Sequence, residues 1–293
     1  MLYKDRRPLL YFLVPSFVLM IIMLYYPFIM NIVNSFFEIK GMISARGEFM
    51  GLDNYAFLFT GDPTAAIAIK NTMVIMVMTV GIQVGLALVL ALMVDSIKVG
   101  KQFFQVVYFF PIVISATAIG LMFNLFYFYN GGMLNQIRAG LGLDKVLWLS
   151  DERAFVMVSI PVLWQYVGFY FVIILAGITG ISEDVLESAA MDGAVGMKKT
   201  RYITLPLLKD VLVTCTTLAI TGAVKVFDLP SIIANNGAPK GLTHFLGTYM
   251  YQQAFVAQNV DYGSAISVVI VIIGVVISRA VGRLLLGKEG GES

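Results

Sequence analysis

Six stretches of this 293-residue chain are each long and apolar enough to cross a lipid bilayer as a helix. They lie at about 9–29, 71–94, 103–128, 154–178, 211–232 and 264–286. A span needs about 20 mostly apolar residues, because a helix rises about 1.5 Å per residue through a hydrocarbon layer about 30 Å thick. No polar stretch between them is long enough to build a soluble domain. Composition agrees: 59% of residues are hydrophobic and only 13% are charged, where soluble domains carry about 25% charged residues. The expected fold is an all-α integral membrane protein with about six transmembrane helices, with 1–293 forming a single transmembrane domain in the lipid bilayer. Pro15 and Pro27 fall in the first stretch, Pro111 in the third and Pro161 in the fourth, and Pro230 ends the fifth. Membrane helices tolerate proline at depth where neighbouring groups satisfy the freed backbone.

Lysine and arginine set the expected orientation, since they accumulate in cytoplasmic segments. With the N-terminus inside, the inner segments 1–8, 95–102, 179–210 and 279–293 hold Lys4, Arg6, Arg7, Lys98, Lys101, Lys198, Lys199, Arg201, Lys209, Arg279, Arg283 and Lys288. The longer outer segments hold fewer: Lys40, Arg46, Lys70, Arg138, Lys145, Arg153 and Lys240. Both termini are therefore expected in the cytoplasm. The first apolar run extends well past the 7–15 residues of a signal-peptide core and lacks a small-x-small cleavage site, so it reads as a membrane helix.

Several functions are disfavoured. A net charge of +2, with no basic patch interleaved with aromatics, gives no reason to expect nucleic acid. Cys215 is the only cysteine and His244 the only histidine, which leaves no His-based catalytic constellation and no metal-ligand cluster. Gly193 to Thr200 superficially resembles a phosphate loop, but Lys198 stands where a glycine must precede the Lys-Thr pair. No catalytic residues and no cofactor bound by this chain are expected.

The segment at about 180–209 differs from the other connections in being long, charged and without an apolar span. Ser182, Glu183 and Asp184 make a helix start, since a serine can cap and acids meet the positive end of the helix dipole. Leu186, Ala189 and Ala190 give the short helix an apolar face, and Gly193 permits a left-handed turn. A second short helix would run to Pro206, where the next span begins. This helix-turn-helix reads either as a connector covering the bundle or as a docking face for another protein.

The pattern Glu187-x-Ala189, Gly193 six places after the glutamate, then nine residues and Ile203-x-Leu205-Pro206, resembles the EAA motif of binding-protein-dependent ABC importer permeases. Ser188 stands where that family more often has alanine. Gly51-Leu52-Asp53-Asn54-Tyr55 is similar to the GLxNY segment of carbohydrate permeases. Phe227-Asp228 with Asn235 to Pro239 is similar to a stretch of the maltose- and glycerol-phosphate-type first permeases. The resemblance covers about Leu9 to Leu286 and implies the type I ABC importer permease fold. It also implies that Glu187, Ala189, Ala190, Asp192, Gly193, Ile203, Leu205 and Pro206 form a coupling loop seated on an ATP-binding subunit. The implied partners are a second homologous permease, two ATP-binding subunits that carry ATP and Mg²⁺, and an extracellular or periplasmic solute-binding protein. The implied place is a bacterial or archaeal cytoplasmic membrane, and the implied cargo a sugar, an oligosaccharide or a sugar-like solute.

Ionised groups at membrane depth cost about 2.5–3.5 kcal/mol each on insertion scales, so Lys225 and Asp228 should face partners or water. Three apart on a helix, they can pair with each other or line a substrate pathway. Gln83, Asn124, Gln165, Tyr166, Tyr170 and Thr221 offer amides, hydroxyls and aromatic faces that suit a sugar; each also suits an interhelical hydrogen bond. A self-sufficient secondary transporter is the alternative within transport, but it would show paired broken helices and more intramembrane acids. A membrane enzyme is the alternative from another class and lacks catalytic side chains.

Overall fold

The computed structural model describes residues 7–42, 45–97 and 99–286. Lys4, Arg6, Lys98 and Lys288, used above for orientation, lie outside them. The principal helices are α1 (Tyr11–Asn34), α2 (Pro63–Asp95), α3 (Lys101–Val113), α4 (Ala116–Tyr127), α5 (Met133–Gly140), α6 (Ala154–Thr179), α7 (Glu183–Met191), α8 (Lys209–Val224), α9 (Asp228–Ile233) and α10 (Val260–Leu286). Among the described residues, five helical stretches are long and apolar enough to cross a membrane, or six if the bent pair α3–α4 counts as one. No strand occurs among the described residues, only isolated bridges. The chain divides into two compact units, residues 1–62 with 250–269 and residues 63–249 with 270–293.

Three expected spans differ from the sequence reading. The second begins at Pro63 rather than near 71, with the proline as the first helical residue; its missing N–H costs nothing there. The third is broken, and α4 leaves α3 at 91°. Ile114 is extended and Ser115 caps a new helix, its Oγ accepting from the Ala118 N–H at 3.2 Å. The fifth breaks at residues 225–227. Pro230 lacks the N–H that would bond the Val226 carbonyl, so a continuous helix would orphan that oxygen. The Val226 carbonyl instead lies against Gly247, so close that a Cβ there would sit 2.7 Å from it.

In the first unit, the segment after α1 is clamped to the helix end. Asn54 Nδ2 donates to the Ser35 carbonyl at 3.1 Å, and the Tyr55 and Ser35 hydroxyls are 2.7 Å apart. Both residues belong to the Gly51–Tyr55 signature, which thus has a structural use. Asn31 reaches Ser267 on α10, and Tyr262 donates to Asp62 at 2.6 Å.

The second unit is built around α6, the most deeply buried of the candidate spans. α2, α3 and α8 pack against it. Gly168 admits α3: a Cβ at that position would stand 1.7 Å from the Tyr108 carbonyl oxygen. Pro161 removes the N–H that would bond the Met157 carbonyl. The Tyr127 hydroxyl donates to that oxygen at 2.9 Å, which restores the balance demanded by a low-dielectric interior. Gln83 sits in a wide π-helical turn of α2, Thr79–Val84, and is 2% exposed. Its Nε2 donates to the Val162 and Leu163 carbonyls at 2.8 and 2.9 Å.

Replacing Gly168 with alanine should force α3 off α6 and cost at least about 2 kcal/mol, as overpacking does. Thermal unfolding in detergent checks this, with Gly177→Ala as the milder control, since there the close atoms are side-chain carbons of Leu208 and Val211 at 2.9 Å and beyond rather than backbone.

Candidate functional site

Six of the eight residues expected along a pathway come together in one cavity of about 370 Å³. One wall is α6, contributing Gln165, Tyr166, Phe169 and Tyr170. The facing wall is the end of α8 and the break that follows it, from Leu218 through Lys225 and Asp228 to Pro230. Gln83 and Thr79 complete it from the π-helical turn of α2. Phe169 stacks edge-on with both Tyr166 and Tyr170, which makes a continuous aromatic surface.

Chemistry separates these residues into two sorts. Gln83 has its amide donor committed to α6, as described. Gln165 is only 7% exposed yet its side chain makes no hydrogen bond to any described residue. It lines the cavity and is not among the sealed polar atoms left without a partner, so the cavity offers it to whatever enters. Lys225 and Asp228 do not pair: the helix they were expected to share ends at Lys225, and Phe227 turns the chain before Asp228 starts α9. The sequence reading assumed a continuous helix, and the break places the two charges separately on the wall. The other two candidates lie elsewhere. Asn124 donates to the Ile232 carbonyl at 3.0 Å and holds α4 to α9. Thr221 bonds the Thr217 carbonyl and approaches Ser278 of α10. Phe169, Phe227 and Thr79 were missed. Phe169 could have been found from the Tyr166/Tyr170 spacing on one helix face, but Thr79 depends on the π-helical turn.

His244 is a packing residue, 1% exposed, with Nδ1 3.2 Å from the Thr248 hydroxyl and its carbonyl bonded by Asn71. Its ring fills the space a side chain at Gly237 would need, and Gly237 adopts a φ of +70°. That explains the glycine within the Asn235–Pro239 stretch. Lys240 pairs with Asp151, whose carboxylate raises the lysine pKa above its ordinary value.

The second candidate is the segment joining α6 to α8. α7 starts after Ser182, which occupies the cap position without the side-chain hydrogen bond expected of it. The helix ends as predicted at Gly193, with φ +80°. The Gly193 N–H bonds the Ala190 carbonyl at 3.0 Å and the Ala194 N–H bonds the Ala189 carbonyl at 2.8 Å, the two bonds of a Schellman ending. Ala189 is the buried contact, while Glu187, Ala190, Asp192 and Pro206 are exposed and Ile203 and Leu205 half-buried. Met191 is 89% exposed, with Val195 and Met197 also uncovered, so the turn presents an apolar knob outside the spans. The second stretch is a short helix, Met197–Lys199, widened to a π turn at Thr200–Thr204 just before Pro206.

Residues 83–287 match the family model described as binding-protein-dependent transport system inner membrane component. The chain belongs to this family. Among related permeases, the probable ABC transporter permease protein YurN of Bacillus subtilis is 34% identical, over 91% of this chain and 92% of that one. The arabinooligosaccharides transport system permease protein AraP of Halalkalibacterium halodurans is 30% identical, over 94% and 87%. A crystal structure of a bacterial ABC transporter that imports the acidic polysaccharide alginate contains a chain that superposes with a TM-score of 0.84 over 98% of this permease and 99% of that chain, at 22% identity, and so shares its fold. The protein is thus a multi-pass, non-catalytic permease subunit of an ABC importer, and ATP hydrolysis belongs to a separate subunit.

The two glutamines should respond differently. Gln83→Leu should lower stability by about 1 kcal/mol, the scale of a membrane hydrogen bond. Gln165→Leu should leave the melting temperature unchanged or raised and should alter the apparent KM for uptake. Melting curves and uptake by the assembled transporter distinguish the two.

Proposed function

We propose that this permease forms the translocation path for a sugar, an oligosaccharide or a sugar-like solute, together with a second homologous permease. An extracellular solute-binding protein delivers the cargo, and two ATP-binding subunits carrying ATP and Mg²⁺ drive the cycle. The chain acts as one permease domain over 1–293, in a bacterial or archaeal cytoplasmic membrane with both termini in the cytoplasm. The relatives support the cargo class: their names specify arabinooligosaccharides, lactose and diacetylchitobiose, which share glycan chemistry and differ in the glycan. A second alginate importer structure, 23% identical, holds a pentasaccharide-bound periplasmic protein. The cavity has the matching chemistry, with aromatic faces beside an unpartnered amide, an ammonium and a carboxylate that can bond hydroxyl groups.

One observation carries the mechanism. The two walls of the cavity, α6 and the end of α8, are the two helices that the 180–208 segment joins. Gln165 lies about 21 Å and Gly222 about 20 Å from the ends joined by the segment, at about 1.5 Å per residue. A motor subunit that grips α7 around Glu187, Ala190 and Asp192 would move both walls through a connection stiffened by the Schellman ending at Gly193. Ile203, Leu205 and Pro206 fix the entry into α8.

A side chain at Gly193 would meet no neighbouring atom within 4 Å, so substitution there tests conformation and not space. A left-handed backbone costs an ordinary residue about 1–2 kcal/mol and more when β-branched. Gly193→Val should therefore leave the permease in the membrane while uptake falls and ATP hydrolysis becomes independent of substrate. Gly193→Ala should be milder. Normal uptake by Gly193→Val would remove the segment from the coupling route.

A further inference from the structure

Segment 116–147 exposes large apolar side chains without forming a straight span. α4, at 12 residues and a length of about 18 Å, is too short to cross alone, and it turns 91° from α3. Its exposed Leu121 and Leu125 lead into exposed Phe128, then into Met133, Ile137 and Leu141. The last three recur every fourth residue along α5 and its end, so they share one helix face. Leu125 and Leu141 are 69% and 71% exposed.

This stripe is held outward by its opposite side. Leu134 packs on the core of the unit, and Asn135 is buried. Asn135 Nδ2 donates to the Tyr129 and Val146 carbonyls at 3.1 and 3.0 Å, and its Oδ1 accepts from the Val146 N–H at 3.0 Å. One side chain thus closes the loop and fixes which face α5 shows.

Two observations identify the cover as lipid. The stripe follows along the chain from the membrane helix α3, whose Phe103, Val106 and Phe110 are likewise exposed. The loop also carries Arg138 and Lys145 against one acid, Asp144, with the Lys145 ammonium 5.8 Å from the centre of the Tyr129 ring. Cations and a tyrosine bordering an apolar face suit the headgroup layer, where phosphates meet the acyl chains.

We propose that segment 128–147 is an interfacial anchor, lying in the plane of the bilayer surface with Met133, Ile137 and Leu141 among the acyl chains, while α3 and α4 together make the crossing. The anchor bears on the cavity through α4. Asn124 holds α9, Gly120 lets Ile232 approach so closely that a Cβ would stand 2.6 Å from it, and α9 begins with the cavity residue Asp228. The lip of the cavity is thereby referenced to the membrane surface.

Spin labels at single cysteines test this in the whole transporter in liposomes, on a cysteine-free background that includes Cys215→Ala. Labels at Ile137→Cys and Leu141→Cys should collide more often with oxygen, which concentrates in lipid, than with a water-soluble nickel chelate. A label at exposed Gln136 should show the reverse preference. Nickel dominance at Ile137 and Leu141 would mean that water covers the stripe. Protection from both reagents would mean that a protein covers it. Either result overturns the proposal, and two independent stripe positions guard against one variant failing to assemble.

Discussion

Hydrogen bonds that end on the carbonyls of α6 are the constraint on which the second unit depends. Pro161 leaves the Met157 oxygen without its helical partner, and Tyr127 supplies one from α4. Gln83 reaches the adjacent Val162 and Leu163 carbonyls from α2. Gly168 lets α3 approach backbone to backbone. Three different helices are therefore fixed to α6 by contacts that tolerate little change. In lipid there is no water to satisfy a group left unpaired, so these contacts specify the arrangement more firmly than apolar burial alone would. Apolar surface can face either lipid or protein at similar free energy, which is why packing and polar contacts decide helix association in membranes.

That fixed frame makes the unfixed groups informative. Around the cavity, Gln165, Lys225 and Asp228 stand apart from the network that ties the helices. The break at residues 225–227 separates the two charges, because Pro230 cannot bond the Val226 carbonyl and Gly247 gives that carbonyl a place to lie. The chain thus presents polar groups to a cavity at a break in its own helix. Downstream of the same wall, α6 runs without interruption to the segment whose turn at Gly193 is closed by two backbone hydrogen bonds. A rigid turn at one end and a committed set of polar contacts at the other are what a connection needs if displacement is to travel along it.

Much of this was legible in the sequence, and the exceptions have physical causes. Long apolar stretches gave the helices, since spanning segments must satisfy their own backbone. The left-handed turn at Gly193 was readable because only glycine adopts that conformation without strain. The break between α3 and α4 was signalled by Ser115, a residue that caps helices, but a run as apolar as 103–128 hides one cap. Pairing of Lys225 with Asp228 failed because helical spacing was carried across a break that Pro230 announces. Six of the eight residues expected along a pathway line one cavity because depth and polarity together mark a wall. Asn124 and Thr221 share that depth and polarity, and only the contacts show that they hold helices together. The structural use of Asn54 and Tyr55 could not be read from the sequence, because it depends on Ser35, which is remote along the chain.

The most direct measurement of the central claim, that α7 and the cavity move together, is the alkylation rate of Gln165→Cys by a water-soluble thiol reagent. It would be made in the assembled transporter with Cys215 replaced, once without nucleotide and once trapped with ATP. Coupled motion of the two walls should change the rate between the two states, and the Gly193→Val substitution should abolish that change. Equal rates in both states, with transport intact, would contradict the claim.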